Sequence, residues 1–436
     1  MREKSKLAPA RQTRPVPSKG LPLSGFRITE LTTAWAGPMA GRILACLGAE
    51  VVHIEPANNL DSWRSYTPLL LPKRYPDQQG GERRYNRAAL FNSQNTDKVS
   101  FSLDLKAAGG KETFRALIAK SDGLITNFTP GMLSRLGFSN EELWKSKPDL
   151  CIVEMPAYGN SGLMRTWTAL GPTMEQVAGM TAIIGYGDGR PVSTGPAYLD
   201  PIGAFNGSAA MLTALLHRQR SGEGQHVEMP QVEAAMQLIG EHLIYAAETG
   251  KNPPVNGNRI ADAAPHDVFQ AAGGADEWIA IDVTTEDEWA ALCRAIGKEE
   301  MASDPRFATV AERCKHQDEL AEAIAAWTCT LDKHDAAQRL QTAGVPAAAV
   351  YKADDTLACA YLNMRQFSLP LEHPEAGRHP HQGLPYRFEK TPVRHRHAAP
   401  CLGEHNHYIL REVLGRSDAE IAELERIGTI RSVPDA

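Results

Sequence analysis

Between Gly185 and Val232 the chain gathers residue types able to do chemistry. A polar, Gly/Pro-rich loop ends at Ala197-Tyr198-Leu199-Asp200-Pro201, and an apolar, Ala-rich helical segment follows from about Ile202 to His217. A basic turn, Arg218 to Gln225, and a short strand, His226 to Met229, complete the block. Asp200 therefore stands at the mouth of a helix. Asp is favoured at helix N-caps and Pro directly after them, so a structural cap accounts for the spacing by itself. Gly185, Gly187, Gly189 and Gly195 give the preceding loop enough freedom to close as a lid, although an ordinary surface loop has the same composition. Glu175, in GPTMEQVAGM, is a further carboxylate that reads equally as an exposed helix side chain. Three HxH pairs, His379 with His381, His395 with His397 and His405 with His407, have a spacing that can bind zinc. They lie among prolines and arginines, and ligand geometry is demanding, so no metal is expected.

The elements that must position these residues alternate. Phe26 to Leu31 reads as a strand, the turn Thr32 to Gly37 leads into the helix MAGRILACL, and Glu50 to Glu55 reads as a second strand. Such a β-α-β unit implies a parallel sheet with crossover helices. Strand and helix patterns continue through Phe91–Leu105, Lys111–Lys120, Gly123–Phe128, Pro130–Leu136 and Asp149–Met155. Residues 57 to 92, with the run RYPDQQGGERRYNR, read as a surface excursion. Glu55 lies where a dinucleotide fold would place its ribose carboxylate. Yet the turn offers only Gly37 and Gly41, spaced GxxxG instead of GxGxxG, which speaks against a nicotinamide enzyme. The fold class is therefore α/β, a Rossmann-like large domain with a smaller α+β domain. The expected boundaries are a disordered leader over 1–22, the large domain over 23–252, the small domain over 253–350, and a return segment over 351–436 that completes the large domain.

Composition narrows the function classes. With 436 residues, 42% hydrophobic and 22% charged, the chain can bury a large core. A net charge of −6 argues against nucleic acid as a partner. No window approaches the length of apolar sequence that a membrane span needs. Seven scattered cysteines without a CxxC pair indicate a reducing compartment. Prolines at 9, 15 and 17 interrupt any amphipathic transit helix, so a cytoplasmic location is expected.

At this point the motifs resemble those of family III CoA-transferases over about residues 24 to 430. The matching segments are the AGP turn with LGAEVVHIEP, the NxxKxSxSLDL strand, NFTPGMLSRLG, the Asp200 helix with HRQRSGEGQHVEM, and the tail CLGEH. The resemblance implies a homodimer of two interlaced chains, with a hetero-oligomer as the other possibility, and coenzyme A bound against the Rossmann-like domain. It implies that Asp200 is the nucleophile. It carries CoA contacts onto Thr33, Ala34 and Trp35 in the first turn, onto Asn95 and Lys98 before the SLDL strand, and onto Arg135. The substrates implied are an acyl-CoA and a free carboxylic acid.

The implied chemistry is covalent catalysis by a carboxylate. Asp200 attacks the thioester carbonyl to give a mixed anhydride, and CoA thiolate then attacks the aspartyl carbon to leave an aspartyl-CoA thioester. Two departures from the family pattern bear on the substrate. The stretch Lys251 to Asn258 is a linker by composition, and the segment that follows from Gly257 reads GNRIADAAPHDVF without a glycine run, while Trp35 is bulky where some relatives are polar; both point to an acyl group larger than formyl or oxalyl. The nearest rival is an α-methylacyl-CoA racemase, which needs an acid and a base across the α-carbon; the stretch AYGNSG (157–162) has no histidine to supply one. A catalytically silent subunit of a hetero-oligomer is the third reading.

Overall fold

Strands that are apolar on both sides require cover on both faces, and the helices supply it. In the computed structural model, which describes residues 11–15, 18–64, 75–186 and 190–434, six strands form one parallel sheet. They are β1 (Arg27–Leu31), β2 (Glu50–Ile54), β3 (Val99–Phe101), β4 (Gly123–Thr126), β5 (Cys151–Glu154) and β6 (His226–Glu228). Their order is β3-β2-β1-β4-β5-β6, which reverses direction between β1 and β4 as in the Rossmann fold. The helices of this unit are α1 (Ala36–Cys46), α2 (Arg84–Arg87), α3 (Ala89–Gln94), α4 (Gly110–Ile118), α5 (Met132–Arg135), α6 (Asn140–Ser146), α7 (Gly171–Val177), α8 (Leu199–Ser221), α9 (Gln231–Met236) and α10 (Gly240–Thr249).

Alternation along the strands divides the core. Val52, Phe101, Leu124 and Ile152 pack with Phe114 and Leu117 of α4, Leu143 of α6, and Ile409, Leu410 and Ile421 from the tail. Their neighbours Val51, Ile125 and Val153 face the other way, onto Ile43 and Leu44 of α1 and Ala204, Met211 and Leu215 of α8. Every residue of α1 is buried, which fixes the turn at its N-terminus.

The chain divides into two compact units. Residues up to 181, 193–251 and 364–436 form the first; residues 182–192 and 252–363 form the second. The second is α+β: strands β7 (His266–Gln270), β8 (Trp278–Asp282) and β9 (Ala347–Ala349) pair antiparallel. They carry α11 (Glu286–Ala295), α12 (Val310–Lys315), α13 (Gln317–Thr328) and α14 (Lys333–Thr342), with α15 (Ala353–Ala358) and α16 (Ala360–Met364) following. Back in the first unit come the hairpin β10 (Ser368–His373) and β11 (Gly377–Gln382), a π-helical turn Tyr408–Val413, and α17 (Asp418–Arg426).

Two sequence expectations are corrected. The stretch 57–92 is not a surface excursion where described: Arg64 is fully buried, its Nε 2.8 Å from Glu55 Oε1 and its guanidinium 3.5 Å above the Phe91 ring. Its charge is matched by Glu55, so a charged stretch folds inward. The leader is not free over its described part. Thr13 donates its backbone N–H to Glu404 O at 3.1 Å and Ser18 Oγ donates to Gly48 O at 2.5 Å, which pins the segment to the body of the unit.

Candidate active site

In a doubly wound sheet, the crevice for ligands opens beyond the carboxyl ends of the strands where their order reverses. Here that is the gap between β1 and β4, and the Thr32–Trp35 turn fills it. Thr33 is tied across the gap: its N–H donates to Asn127 Oδ1 at 3.0 Å, and Asn127 Nδ2 donates to Thr33 O at 2.9 Å. Ala34 adopts a left-handed φ of 65°, and its N–H donates to Asp61 Oδ2 at 3.1 Å. Trp35 is the residue before α1, its ring tilted 47° against Trp63 at a centroid distance of 5.4 Å. Gly37 is required for closeness, since a Cβ there would lie 2.5 Å from Thr32 Cβ.

Asp200 reaches this turn from α8. The helix begins at Leu199, with Tyr198 as the cap residue, so Asp200 does not cap its own helix. Its carboxylate instead accepts the N–H of Ala36, the first residue of α1. The first amides of a helix lack intrahelical partners and attract anions. α1 has no acid in its own first turn, so Asp200 supplies the negative charge from outside. Burial nevertheless pushes the Asp200 carboxyl up to about 6, with the neighbouring Glu175 charge adding to the rise and the Ala36 N–H opposing it. On the other side stands α7: a Cβ on Gly171 would come within 2.0 Å of Asp200 Oδ2.

Glu175, on the same helix, is fully buried. It accepts from Ser193 Oγ at 3.0 Å, Thr194 N at 3.2 Å, Thr194 Oγ1 at 2.7 Å and Tyr198 N at 2.6 Å. Burial would raise its carboxyl, but these donors outweigh it and hold the group below the usual carboxylate range. The expectation of an exposed side chain is therefore corrected. α7 reads GPTMEQV, with no histidine to act as the second acid–base group of a racemase.

Thr33, Ala34, Trp35 and Asp200 are thus brought together. Asn95 and Lys98 are not at the surface, being 1% and 4% exposed. Lys98 Nζ donates to Glu30 Oε1 at 2.9 Å, Pro38 O at 2.7 Å and Asn95 Oδ1 at 2.8 Å, which uses all three of its hydrogens. The pair forms a strut under α1. Gly41 allows α1 to settle onto it, since a Cβ there would meet Glu30 Oε2 at 1.8 Å. Arg135, at the end of α5, is exposed, with Nη1 donating to Pro130 O at 3.2 Å. Of the lid segment, residues 187–189 lie outside the described residues.

In two of the three histidine pairs one ring bonds the protein itself. His379 Nε2 lies 2.7 Å from Ala376 O, and His395 bonds Asp97 at 2.8 Å through Nδ1 and Gln382 O at 2.9 Å through Nε2. Cys46 joins Asp97 and His395 within 4.8 Å. Burial, the largest cause, raises that thiol to about 12, and the amides of Arg396 and His397 also donate to Asp97. Sequence reasoning missed Asn127, Asp61, Trp63 and Gly171. Asn127 and Gly171 stood in quoted segments; only the pairing of β1 with β4 shows what Asn127 touches.

A family model described as CoA-transferase family III matches residues 23–406. The chain is 31% identical over 405 residues to the succinyl-CoA–D-citramalate CoA-transferase of Chloroflexus aurantiacus, covering 93% of this chain and 97% of that one. It is 28% identical over 414 residues to the succinate–glutarate CoA-transferase of Agrobacterium fabrum, covering 95% and 99%. Among solved structures, a CAIB/BAIF family protein from Brucella suis superposes with a TM-score of 0.81 at 26% identity, covering 90% and 99%. The chain belongs to CoA-transferase family III. It is an enzyme, and its activity is the movement of CoA between an acyl-CoA and an acid. Among the described residues no helix is long and apolar enough to cross a membrane.

Proposed function

We propose that Asp200 carries the acyl group and then CoA itself. An Asp200 carboxylate oxygen attacks the donor thioester carbonyl; the C–S bond breaks and CoA thiolate leaves, giving a mixed anhydride. The thiolate attacks the aspartyl carbon, the donor acid departs as a carboxylate, and an aspartyl-CoA thioester remains. The acceptor carboxylate then displaces thiolate from the aspartyl carbon, and thiolate attacks the acceptor acyl carbon to release acyl-CoA and free Asp200. The observation that carries this reading is a single carboxylate, desolvated and raised to about 6, held at the switch point beside the amide end of α1. Desolvation strengthens a carboxylate nucleophile, and fixed N–H donors steady charge as it develops.

The turn Thr33–Trp35 and the exposed Arg135 provide the CoA contacts, the guanidinium suiting a phosphate. The Trp35–Trp63 pair suits an acyl group larger than oxalyl, and the two relatives above are named for succinate, glutarate and citramalate. A dicarboxylic acid is accordingly the substrate class. An interlaced homodimer is the assembly: α10 has no buried residue and exposes Leu243, Ile244 and Tyr245, a face that a second chain would cover.

The test is interception. With acyl-CoA and hydroxylamine present, mass spectrometry should locate a hydroxamate on Asp200 as transfer activity is lost. Inactivation without modification of Asp200, or modification elsewhere, would refute the covalent assignment.

A further inference from the structure

Glu175 is the most heavily bonded carboxylate near Asp200, and the reaction as written does not use it. Its two oxygens each accept two hydrogen bonds, all from Ser193–Tyr198, the segment that delivers Asp200 to α8. Two of those donors are backbone amides, which can only donate. Together with the two hydroxyls they hold the carboxyl below its usual range, so the group is the anion. Both carboxylates lie in the first unit, on the adjoining helices α7 and α8.

We infer that Glu175 is a positioning residue that works in two ways: it clamps the segment leading into α8, and it presses a fixed negative charge on Asp200 that is relieved whenever Asp200 is acylated. The inference rests on the covalent reading above. Acylation turns the Asp200 anion into a neutral anhydride or thioester, so a neighbouring anion destabilises the free enzyme and leaves the covalent states untouched. The repulsion thereby favours loading. Free Asp200 is also kept more basic, which aids attack on the thioester carbonyl.

The other charged groups around the nucleophile are few. α1 presents its amide end, with Arg42 buried further along; α9 carries Glu233, which is exposed; α8 keeps Arg218 and Arg220 in its last turn. Asp61 lies across the Thr32–Trp35 turn, bonded to Ala34. Glu175 stands one turn along α7 from Gly171, the residue packed against Asp200 Oδ2, and its charge adds to the effect of burial on Asp200.

The experiment compares Glu175→Gln, Glu175→Asp and the double variant Ser193→Ala, Thr194→Val with the natural enzyme. Two readouts are taken: the acid limb of the pH profile of kcat/KM, and the fraction of enzyme trapped as aspartyl-CoA after mixing with succinyl-CoA. Burial is the larger cause of the raised Asp200 carboxyl, so removing the charge should move the acid limb of Glu175→Gln to lower pH by about half a pH unit. Since the same repulsion sets the loading equilibrium, the trapped fraction relative to free enzyme should fall about threefold. Glu175→Asp should keep the limb in place. The double variant retains the charge and loses two clamp bonds, so it should lower kcat with the limb unmoved. If Asp200 is trapped normally but Glu175→Gln shifts neither limb nor fraction, the inference is overturned and the covalent reading stands. If Asp200 is never labelled in the natural enzyme, the covalent reading itself fails. Should Glu175→Gln not fold, an unchanged kcat in the double variant still overturns the clamp.

Discussion

Replacing Asp200 by Asn should abolish transfer and stabilise the protein. Burial, reinforced by Glu175, lifts the Asp200 carboxyl from 3.8 to about 6. An acid whose folded-state value is raised binds its proton more tightly when folded, so stability is lost as pH rises from 3.8 to about 6 and stays lost above. At about 1.4 kcal/mol per pH unit the full cost is about 3 kcal/mol. Because part of the side chain meets solvent, screening reduces this, and a gain of about 1–3 kcal/mol is expected for Asp200→Asn at pH 8. At pH 5 the unfolded carboxyl is ionised and the folded one mostly protonated, so about half of that gain should remain. The Asn side chain keeps an oxygen to accept the Ala36 N–H, so the hydrogen bond survives the exchange. Guanidinium unfolding followed by circular dichroism at pH 5 and pH 8 measures both arms. A variant no more stable than the natural enzyme at pH 8, or one whose advantage shrinks between pH 5 and pH 8, would show that Asp200 is not a desolvated anion.

Gly171→Ala places a methyl 2.0 Å from Asp200 Oδ2 and 2.5 Å from Ala197 Cβ; kcat should fall at least tenfold and the thermal midpoint should fall with it, and unchanged turnover would mean that the carboxylate is not held there. Arg135→Ala should raise the KM for acyl-CoA and leave kcat nearly intact, as expected of an exposed phosphate contact. Lys98→Met should do the reverse, costing about 3–5 kcal/mol of stability because it strands the buried Glu30 charge; a KM effect without destabilisation would instead mark Lys98 as a ligand.

How far the sequence discloses this arrangement follows from what is local. The β-α-β order is legible because short alternating strand runs and longer apolar helical runs follow one another with turns between them. The position of α8 is legible too, but its start is not: Pro201 suggests a beginning near Ile202, whereas proline is tolerated in the first turn and the helix opens at Leu199. Burial of charge is where local reading fails. Lys98, Glu175 and Arg64 have the composition of surface residues, and each is buried against a partner distant in sequence: Glu30 for Lys98, the 193–198 segment for Glu175, Pro400 O for Arg64. Nothing in a window of neighbours announces such pairings. The alanine-only strand β9 escapes for the opposite reason, since Ala347–Ala349 has little β propensity and is held by its pairing with β8.

Several unfavourable features of the first unit lie close to Asp200. Six non-glycine residues among those described have left-handed backbone, and the two alanines among them, Ala34 and Ala197, lack the side-chain hydrogen bonds that ease this conformation for Asp. Ala34 stands two residues before the amide that binds Asp200, and Ala197 three residues before Asp200 itself. Between them sit a carboxylate raised against its own ionisation and a glycine that tolerates no Cβ. A carboxylate kept only as a helix cap would gain from being solvated and low in pKa, and its flanking turns would gain from relaxed backbone. The opposite holds on every count. Local rules broken together, with the cost met by an otherwise well-buried core, are what the proposed role of Asp200 as a reacting group requires and a cap does not.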